Sequence, residues 1–234
     1  MPAAIIIPVY NHGSRISQVI DRCRELGLPI IVVNDGSTDA TPAVVRDQND
    51  IFLINHPENL GKGAALISGM GLAHRMGCNA ALTIDADGQH DPADALALLE
   101  QARRCGGPCL VVGCRRAMTA SRNVPWTSRF GRGFSNFWVW AAGGPRLADS
   151  QSGLRLYPLP ETLQLDVRGR RYQFEVEVLV RAHRATIPIL ETPVSVVYQA
   201  RGERISHFRP WRDFLRNSAT FSRLIFSRFL EWRP

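Results

Sequence analysis

The sequence predicts an α/β fold in which a mainly parallel mixed sheet is flanked by helices. Short runs of β-branched and aliphatic residues alternate with segments of helical periodicity, which is typical of parallel strands joined by crossover helices. The predicted strands also end in polar, glycine-bearing segments. With 234 residues, 45% of them hydrophobic, the chain can form one substantial core. We expect one main domain, residues 1–209, and a C-terminal helix, residues 210–234.

The first half of the chain contains five predicted strands, which are Ile5 to Val9, Ile30 to Val33, Ile51 to Ile54, Ala81 to Ile84 and Leu110 to Val112. Between them, helices are predicted at about Ser14 to Leu26, Gly61 to Arg75 and Pro92 to Arg104. Ser14 suits an N-cap position, and Pro92 suits a first helical turn. Ligands of open α/β sheets bind outside the carboxyl ends of the strands, so we expect the polar segments there to converge on one site.

The second half of the chain is less regular. An aromatic-rich helix is predicted at about Trp126 to Ala141, and another at Tyr172 to His183. Two strand candidates that we expect to pair follow, Thr186 to Leu190 and Val194 to Tyr198. An arginine-rich helix is predicted from about Pro210 to the end of the sequence.

The charge balance predicts an anionic partner. The formal net charge is +7, and it rests almost wholly on arginine because Lys62 is the only lysine. Arginine forks suit phosphates and acidic lipid head groups. The sequence has no helix-turn-helix, zinc-finger or aromatic RNA-binding signature, so we do not expect nucleic acid as the partner.

Cysteine usage and hydropathy predict a cytoplasmic protein. The five cysteines are an odd number and are scattered through predicted core segments, which indicates reduced thiols. Cys105 and Cys109 have no second pair to complete a zinc site. The apolar run from Ala3 to Val9 reads as a buried strand and not as a signal peptide. No stretch approaches the roughly 20 apolar residues that span a bilayer.

Two carboxylates, Asp85 and Asp87, follow the predicted strand that ends at Ile84. Such close acids repel each other unless a cation lies beside them. Mg²⁺ or Mn²⁺ prefers oxygen ligands and is commonly shared between protein carboxylates and substrate phosphates. The alternative is an ordinary turn, because Asp and Gly are common turn residues.

Three further segments accompany this pair in order along the chain, namely Pro8 to Asn11, Val33 to Asp39 and Asn59 to Gly63. Together with Asp85 to His90 they resemble the nucleotide-sugar-binding half of glycosyltransferase family 2, across residues 1–115. The resemblance implies the nucleotide-diphospho-sugar transferase (GT-A) fold, a metal-dependent activity, and an inverting displacement at the anomeric carbon of the donor sugar.

The resemblance also implies roles for single residues. Pro8, Tyr10, Asn11 and Asp35 fall at positions that hold the nucleotide. Lys62 lies in the loop that neighbours the donor; as a helix-start cation it would be disfavoured by the helix dipole. The metal-binding stretch of the family matches Asp85, Asp87 and Gln89. There the cation stabilises the leaving diphosphate.

Motifs in the second half resemble the dolichyl- and polyprenyl-phosphate hexosyltransferase branch of the family. They are Gly113 to Arg115, Ser128 to Arg132, Asp149 to Arg155, Phe174 to Glu177 and Ser206 to Asp213. This resemblance implies a GDP- or UDP-linked sugar donor and a lipid-phosphate acceptor. Ser152 and Arg155 are then expected among the substrate-binding residues.

A phosphate acceptor needs cations more than it needs a base. Its second pKa is about 6, so it is largely dianionic and already nucleophilic at neutral pH. Arg115, Arg129 and Arg132 are suitable clamps. A sugar hydroxyl or other glycan acceptor would instead require a carboxylate base, and Asp149 is the best-placed candidate.

Two other classes of protein compete with this interpretation. A nucleotidyltransferase would share the strand-end carboxylates, but the segment from Pro8 to Tyr10 stands where its glycine-rich loop belongs. A non-catalytic membrane protein could bind nucleotide sugars without turnover; the intact Asp85, Asp87 and Lys62 argue against it. His56, His74 and His183 lack triad or metal spacing and are interpreted as surface or structural residues. His90 either contacts the metal stretch or has a structural role in its loop.

The C-terminal segment has the pattern of an amphipathic interfacial helix. Its apolar side is predicted to carry Phe214, Phe221, Ile225, Phe229 and Trp232, and its basic side Arg212, Arg216 and Arg223. We expect it to hold the protein peripherally at the inner face of the membrane. The alternative is a helix that docks its apolar side on the protein's own core.

Overall fold

The structure, a computed structural model, describes residues 1–115, 126–195, 218 and 220–226, with only the backbone of residues 126–132. Seven strands in these residues form one sheet. They are β1 (Ala3–Val9), β2 (Ile30–Asp35), β3 (Ile51–His56), β4 (Ala80–Thr83), β5 (Leu110–Cys114), β6 (Arg155–Pro158) and β7 (Ile189–Pro193).

The strand order is β3-β2-β1-β4-β6-β5-β7. β1 pairs in parallel with both β2 and β4, β2 with β3, and β5 with β7. β6 lies antiparallel between β4 and β5. The predicted α/β class with a mainly parallel mixed sheet is therefore confirmed.

In residues 1–115 and 126–195, six α-helices flank this sheet: α1 (Ile16–Arg24), α2 (Thr41–Arg46), α3 (Lys62–Arg75), α4 (Ala95–Cys105), α5 (Trp126–Ala141) and α6 (Gln173–Arg184). The short α2 was not predicted. Ser14 does not cap α1, because the helix begins two residues later and its N-cap is Arg15, without a side-chain hydrogen bond. Pro92 begins a 3₁₀ turn, Pro92–Asp94, which leads directly into α4.

The core forms two layers, one on each face of the sheet. Successive strand residues point to opposite faces, so Ile5 and Ile7 pack with α1 and α4, whereas Ile6 packs with α3 and α6. Helices thus cover both faces of the sheet. The carboxyl ends of the parallel strands are not covered by these helices.

The first of the two strand candidates near residue 190 is present with shifted bounds, and its pairing with the second candidate stays a prediction. The strand there is Ile189–Pro193, and it pairs in parallel with β5. Of the second candidate, Val194 and Ser195 follow the strand, and residues 196–198 lie outside the described residues. The apolar pattern predicted a strand here but not its pairing with β5, which joins residues distant in sequence.

The described turns of the C-terminal helix, residues 220–226, dock on the second half of the domain. Phe221 is 3% exposed and stacks on Trp138, with ring centroids 6.1 Å apart. Leu224 is buried beside it, and Arg223 pairs with buried Glu177 at 2.7 Å. The docked alternative therefore holds for these turns, whereas Phe214, Phe229, Trp232, Arg212 and Arg216 lie outside the described residues. No helix within the described ranges is long and apolar enough to cross a membrane.

This docking predicts that the C-terminal helix contributes to stability. We expect Phe221→Ala to lower the free energy of unfolding by about 3 kcal/mol, or roughly 6 to 12 °C in Tm, because it leaves a cavity against Trp138. The matched control is Phe226→Ala, because Phe226 is 69% exposed and its truncation removes little packing. Thermal denaturation measures both variants, and equal Tm values would contradict the docking.

Candidate active site

The loops that follow β1, β2 and β4 meet at the carboxyl ends of these strands. Asn11 accepts a hydrogen bond from the backbone N–H of Thr38 at 2.8 Å, and its own N–H donates to Ser37 Oγ at 3.0 Å. Arg15 donates to the carbonyl of Asp87 at 3.4 Å, which joins the first loop to the third. The convergence expected from the sequence is thus present. Pro8 is a buried strand residue, and Tyr10 and Asn11 are half-buried at the rim.

Asp35 lies at the end of β2 and holds the loop that precedes Lys62. Its carboxylate accepts hydrogen bonds from the backbone N–H groups of Leu60 at 3.0 Å and Gly61 at 2.8 Å. The same carboxylate bonds His56 Nδ1 at 2.7 Å, and His56 Nε2 contacts Ser68 Oγ at 3.0 Å. His56 is therefore a satisfied structural histidine, as interpreted. A contact between Asp35 and a nucleotide stays a prediction.

Lys62 bridges two carboxylates. Its Nζ lies 2.6 Å from Asp85 Oδ1 and 2.7 Å from Glu175 Oε1. Burial alone would lower the pKa of Lys62, but the charges of Asp85 and Glu175 outweigh burial and raise that pKa well above its ordinary value. Burial likewise opposes ionisation of Asp85, yet Lys62 holds the Asp85 pKa below its usual range. Lys62 and Asp85 are therefore both charged at neutral pH.

Asp87 is a partly buried carboxylate that lies near the charge of Asp85. Burial, followed by the charge of Asp85, raises its pKa, although its carboxylate accepts the backbone N–H of Gln89 at 3.0 Å. A divalent cation would relieve this repulsion. The described residues contain no group of three or more His, Cys, Asp or Glu that could hold a metal. Asp85 and Asp87 supply carboxylate oxygens, the type of ligand that Mg²⁺ combines with substrate phosphates and water.

His90 lies next to this cluster and is buried. Burial is the largest cause that lowers its pKa, so the imidazole is neutral at neutral pH. Within the described part of the chain, its Nδ1 has no hydrogen-bond partner.

Asp149 is engaged by Arg115 and is 0% exposed. Arg115 Nε lies 2.5 Å from Asp149 Oδ2, and Arg115 Nη2 lies 2.8 Å from Oδ1. Glu191, on β7, accepts the backbone N–H of Asp149 at 3.1 Å. Sequence reasoning missed Glu191 because only the parallel pairing of β7 with β5 brings it here. The bidentate pairing of Arg115 with Asp149 orients the Arg115 side chain. It also leaves the buried Asp149 carboxylate poorly placed to act as a base.

Arg155 is fully buried, contrary to its expected place among the substrate-binding residues. It donates to three backbone carbonyls, those of Ser150 at 2.8 Å, Ser152 at 2.8 Å and Glu175 at 2.7 Å. The guanidinium of Arg155 thus links the loop before β6 to the start of α6 and supports the site without facing solvent. Ser152 is also buried, and its Oγ has no partner among the described residues.

Gly153 gives Asp85 its space, since a Cβ at this position would overlap the Asp85 carboxylate. Its carbonyl accepts the Thr83 hydroxyl at 2.8 Å, which ties the loop to the end of β4. The side chains of Arg129 and Arg132, the other expected clamps, lie outside the described residues, although α5 includes their backbone.

The site combines strand-end carboxylates with a lysine on a mixed α/β sheet. Residues 4–160 match the family model described as glycosyl transferase family 2. The match spans more than half of the chain, and the protein belongs to glycosyltransferase family 2.

Two curated relatives align over most of their length. The chain is 29% identical over 224 residues to the UDP-N-acetylglucosamine–dolichyl-phosphate N-acetylglucosaminyltransferase of Methanococcus voltae, which covers 86% of this chain and 89% of the relative. It is 26% identical over 213 residues to the polyprenol monophosphomannose synthase of Mycolicibacterium smegmatis, which covers 85% and 78% respectively.

The fold also resembles solved structures. The crystal structure of S. aureus TarS 1–349 aligns with a TM-score of 0.53 and 16% identity, over 84% of this chain and 60% of that TarS chain. At this identity the likeness supports the fold alone, and it agrees with the expected GT-A architecture.

The close packing of Gly153 yields a prediction. We expect Gly153→Ala to lower sugar transfer about a hundredfold, because the new methyl group pushes the Asp85 carboxylate out of its position. The matched control is Gly107→Ala, where an added Cβ meets nothing within 4 Å. Initial rates together with circular dichroism measure the effect, and wild-type rates in Gly153→Ala would contradict it.

Proposed function

We propose that the protein transfers a hexose, with inversion, from a nucleotide-diphosphate sugar to a membrane-held polyprenyl phosphate. The observation that carries the proposal is the cluster of Lys62, Asp85 and Asp87 at the carboxyl ends of the strands in a chain of family 2. Lys62 is the charged group that meets the donor diphosphate. The nucleotide would bind at the same strand ends, beside Pro8, Tyr10, Asn11 and Asp35.

Metal dependence is part of this proposal. Asp85, Asp87 and Gln89 would hold Mg²⁺ or Mn²⁺ at the donor diphosphate. When bound, the cation supplies Lewis-acid stabilisation of the leaving nucleoside diphosphate. Asp85 remains ionised through Lys62, and Gly153 keeps its carboxylate in place, so the chain itself prepares the oxygen ligands.

A phosphate acceptor is favoured over a hydroxyl acceptor by the state of Asp149. A general base needs access to the proton that it removes, whereas Asp149 is fully buried and paired with Arg115. A dianionic phosphate needs no such base and is positioned by cations. We therefore assign Arg115, with Arg129 and Arg132, to the acceptor phosphate, and Asp149 to the orientation of Arg115. The names of both relatives specify phosphorylated polyprenols, which supports this acceptor class.

We also propose peripheral contact with the membrane, through a surface that differs from the one expected. Phe221 is buried, and among the described residues of this region the exposed aromatic side chains are those of Phe137 and Trp140 of α5, 53% and 45% exposed, and Phe226 of the C-terminal helix. Exposed aromatic rings of this kind suit the membrane–water interface. The contact would bring the lipid acceptor to the enzyme.

The test of the proposed reaction is a transfer assay. Purified protein is incubated with Mn²⁺ and radiolabelled GDP- and UDP-sugars, with and without polyprenyl phosphate. We expect organic-extractable label that requires the lipid. A water-soluble labelled product would point to a glycan acceptor, and the absence of transfer with every donor would contradict the proposal.

Replacing the metal-facing carboxylate tests metal dependence. We expect Asp87→Asn to lower the transfer rate about a hundredfold or more, roughly 3 to 4 kcal/mol of transition-state stabilisation, while the protein stays folded. The loss follows from removal of one ligand charge. The rate is measured at saturating Mn²⁺, with Asp94→Asn as a carboxylate control outside the cluster. Wild-type turnover in Asp87→Asn would refute the metal assignment.

A vesicle experiment tests the membrane surface. We expect the double variant Phe137→Ser and Trp140→Ser to bind vesicles of mixed neutral and anionic lipids about tenfold more weakly, because two interfacial rings are lost. Phe52→Ser is the matched control, since Phe52 is 47% exposed on the edge strand β3. Sedimentation with vesicles measures binding, and equal losses in both proteins would exclude this surface.

A further inference from the structure

The bridge from Lys62 to Glu175 joins two helix starts. Lys62 is the first residue of α3, and Glu175 lies in the first turn of α6. The two are 113 positions apart in sequence, yet Lys62 Nζ and Glu175 Oε1 are 2.7 Å apart. The side chain of Glu175 is 10% exposed and that of Lys62 is 18% exposed. The contact is therefore largely shielded from water, where ion pairs are stronger than at the surface.

Other contacts hold Glu175 in place independently of Lys62. The buried Arg155 donates to the backbone carbonyl of Glu175 at 2.7 Å. The N–H of Ala64 donates to the carbonyl of Arg170 at 2.9 Å, which locks the start of α3 against the segment before α6. Gly63 allows this approach, because a Cβ there would come within 2.6 Å of Phe174 Cβ. The backbone that carries Glu175 is thus fixed by contacts that do not involve the side chain of Lys62.

The second carboxylate at Lys62 is Asp85, a proposed metal ligand. One oxygen of Asp85 lies 2.6 Å from the ammonium group. A divalent cation at Asp85 is repelled by this ammonium, and a donor diphosphate competes with Asp85 for it. Glu175 offers the ammonium a second position beside the site, so Lys62 can leave Asp85 without losing an anionic partner.

We propose that Glu175 is a positioning residue that holds Lys62 as an exchangeable counter-ion of Asp85, so that the divalent cation and the donor diphosphate bind cooperatively. The inference rests on the proposed metal-dependent function and goes beyond it. Without a donor, Lys62 neutralises Asp85 and keeps the affinity for the cation low. The diphosphate draws Lys62 away from Asp85, and by linkage each ligand raises the affinity of the other by the same factor.

The test measures Mn²⁺ binding in the absence of any sugar donor or acceptor, from the electron paramagnetic resonance signal of free Mn²⁺. We expect Lys62→Met to bind Mn²⁺ about tenfold more tightly than wild type, because the competing ammonium is gone and the side-chain length is kept. Glu175→Gln should bind about threefold or more weakly, because Lys62 then has Asp85 as its single anionic partner.

A double-mutant cycle separates positioning from a direct effect of charge. If Glu175 acts through Lys62, Glu175→Gln has little effect on Mn²⁺ binding when Lys62→Met is already present. If Glu175 acts only through its own field, the same loss of affinity persists in the double variant, and that result overturns the proposal. Lys62→Arg, which keeps the charge, should stay near wild type. Glu100→Gln controls for loss of a carboxylate, since Glu100 pairs with Arg104 on the exposed face of α4.

Adding UDP or GDP gives the second measurement. Wild type should then bind Mn²⁺ about tenfold more tightly, and Lys62→Met should lose most of this gain. Equal gains in both proteins overturn the proposal. Failure of every protein to bind Mn²⁺ overturns it together with metal dependence, whereas the transfer assay decides the glycosyltransferase reaction separately. Thermal denaturation confirms that the variants compared are folded.

Discussion

The ammonium group of Lys62 is the interaction on which the site depends. It neutralises Asp85 from the nucleotide-binding half of the chain and Glu175 from the second half, and both contacts are short and shielded. Without this single lysine, two carboxylates would face each other in a poorly solvated position, which is costly. Because α3 and α6 are also locked by backbone contacts, the cluster has a defined geometry before any ligand binds.

Several groups that face this edge act on other protein groups. Asp35 shapes the loop before Lys62, Asp149 orients Arg115, and Arg155 ties the β6 region to the start of α6. Each is a buried charge that is paired or hydrogen-bonded, as burial requires. Such groups fix the positions of the less buried Lys62, Asp85 and Arg115 beside them, in the manner of supporting residues at designed sites.

Family membership and physical chemistry answer different questions about this protein. The fold is shared with proteins of other activities, so the sheet alone does not identify the reaction. The family match identifies a glycosyltransferase. The acceptor class rests on charge and burial, because a buried Asp149 held by Arg115 suits a nucleophile that arrives already ionised.

The sequence alone determined the sheet-based fold, the strand-end position of Asp85 and Asp87, and the loop that carries Lys62, because these follow from local periodicity and from neighbours along the chain. Which strands pair and which side chains contact each other was decided only by the tertiary structure. The antiparallel β6, the parallel docking of β7 that brings Glu191 to Asp149, and the contact between Lys62 and Glu175 all join residues distant in sequence. It also decided that Phe221 faces Trp138. An amphipathic pattern shows that a helix has an apolar side, but the surface that covers that side depends on packing between segments far apart in the chain.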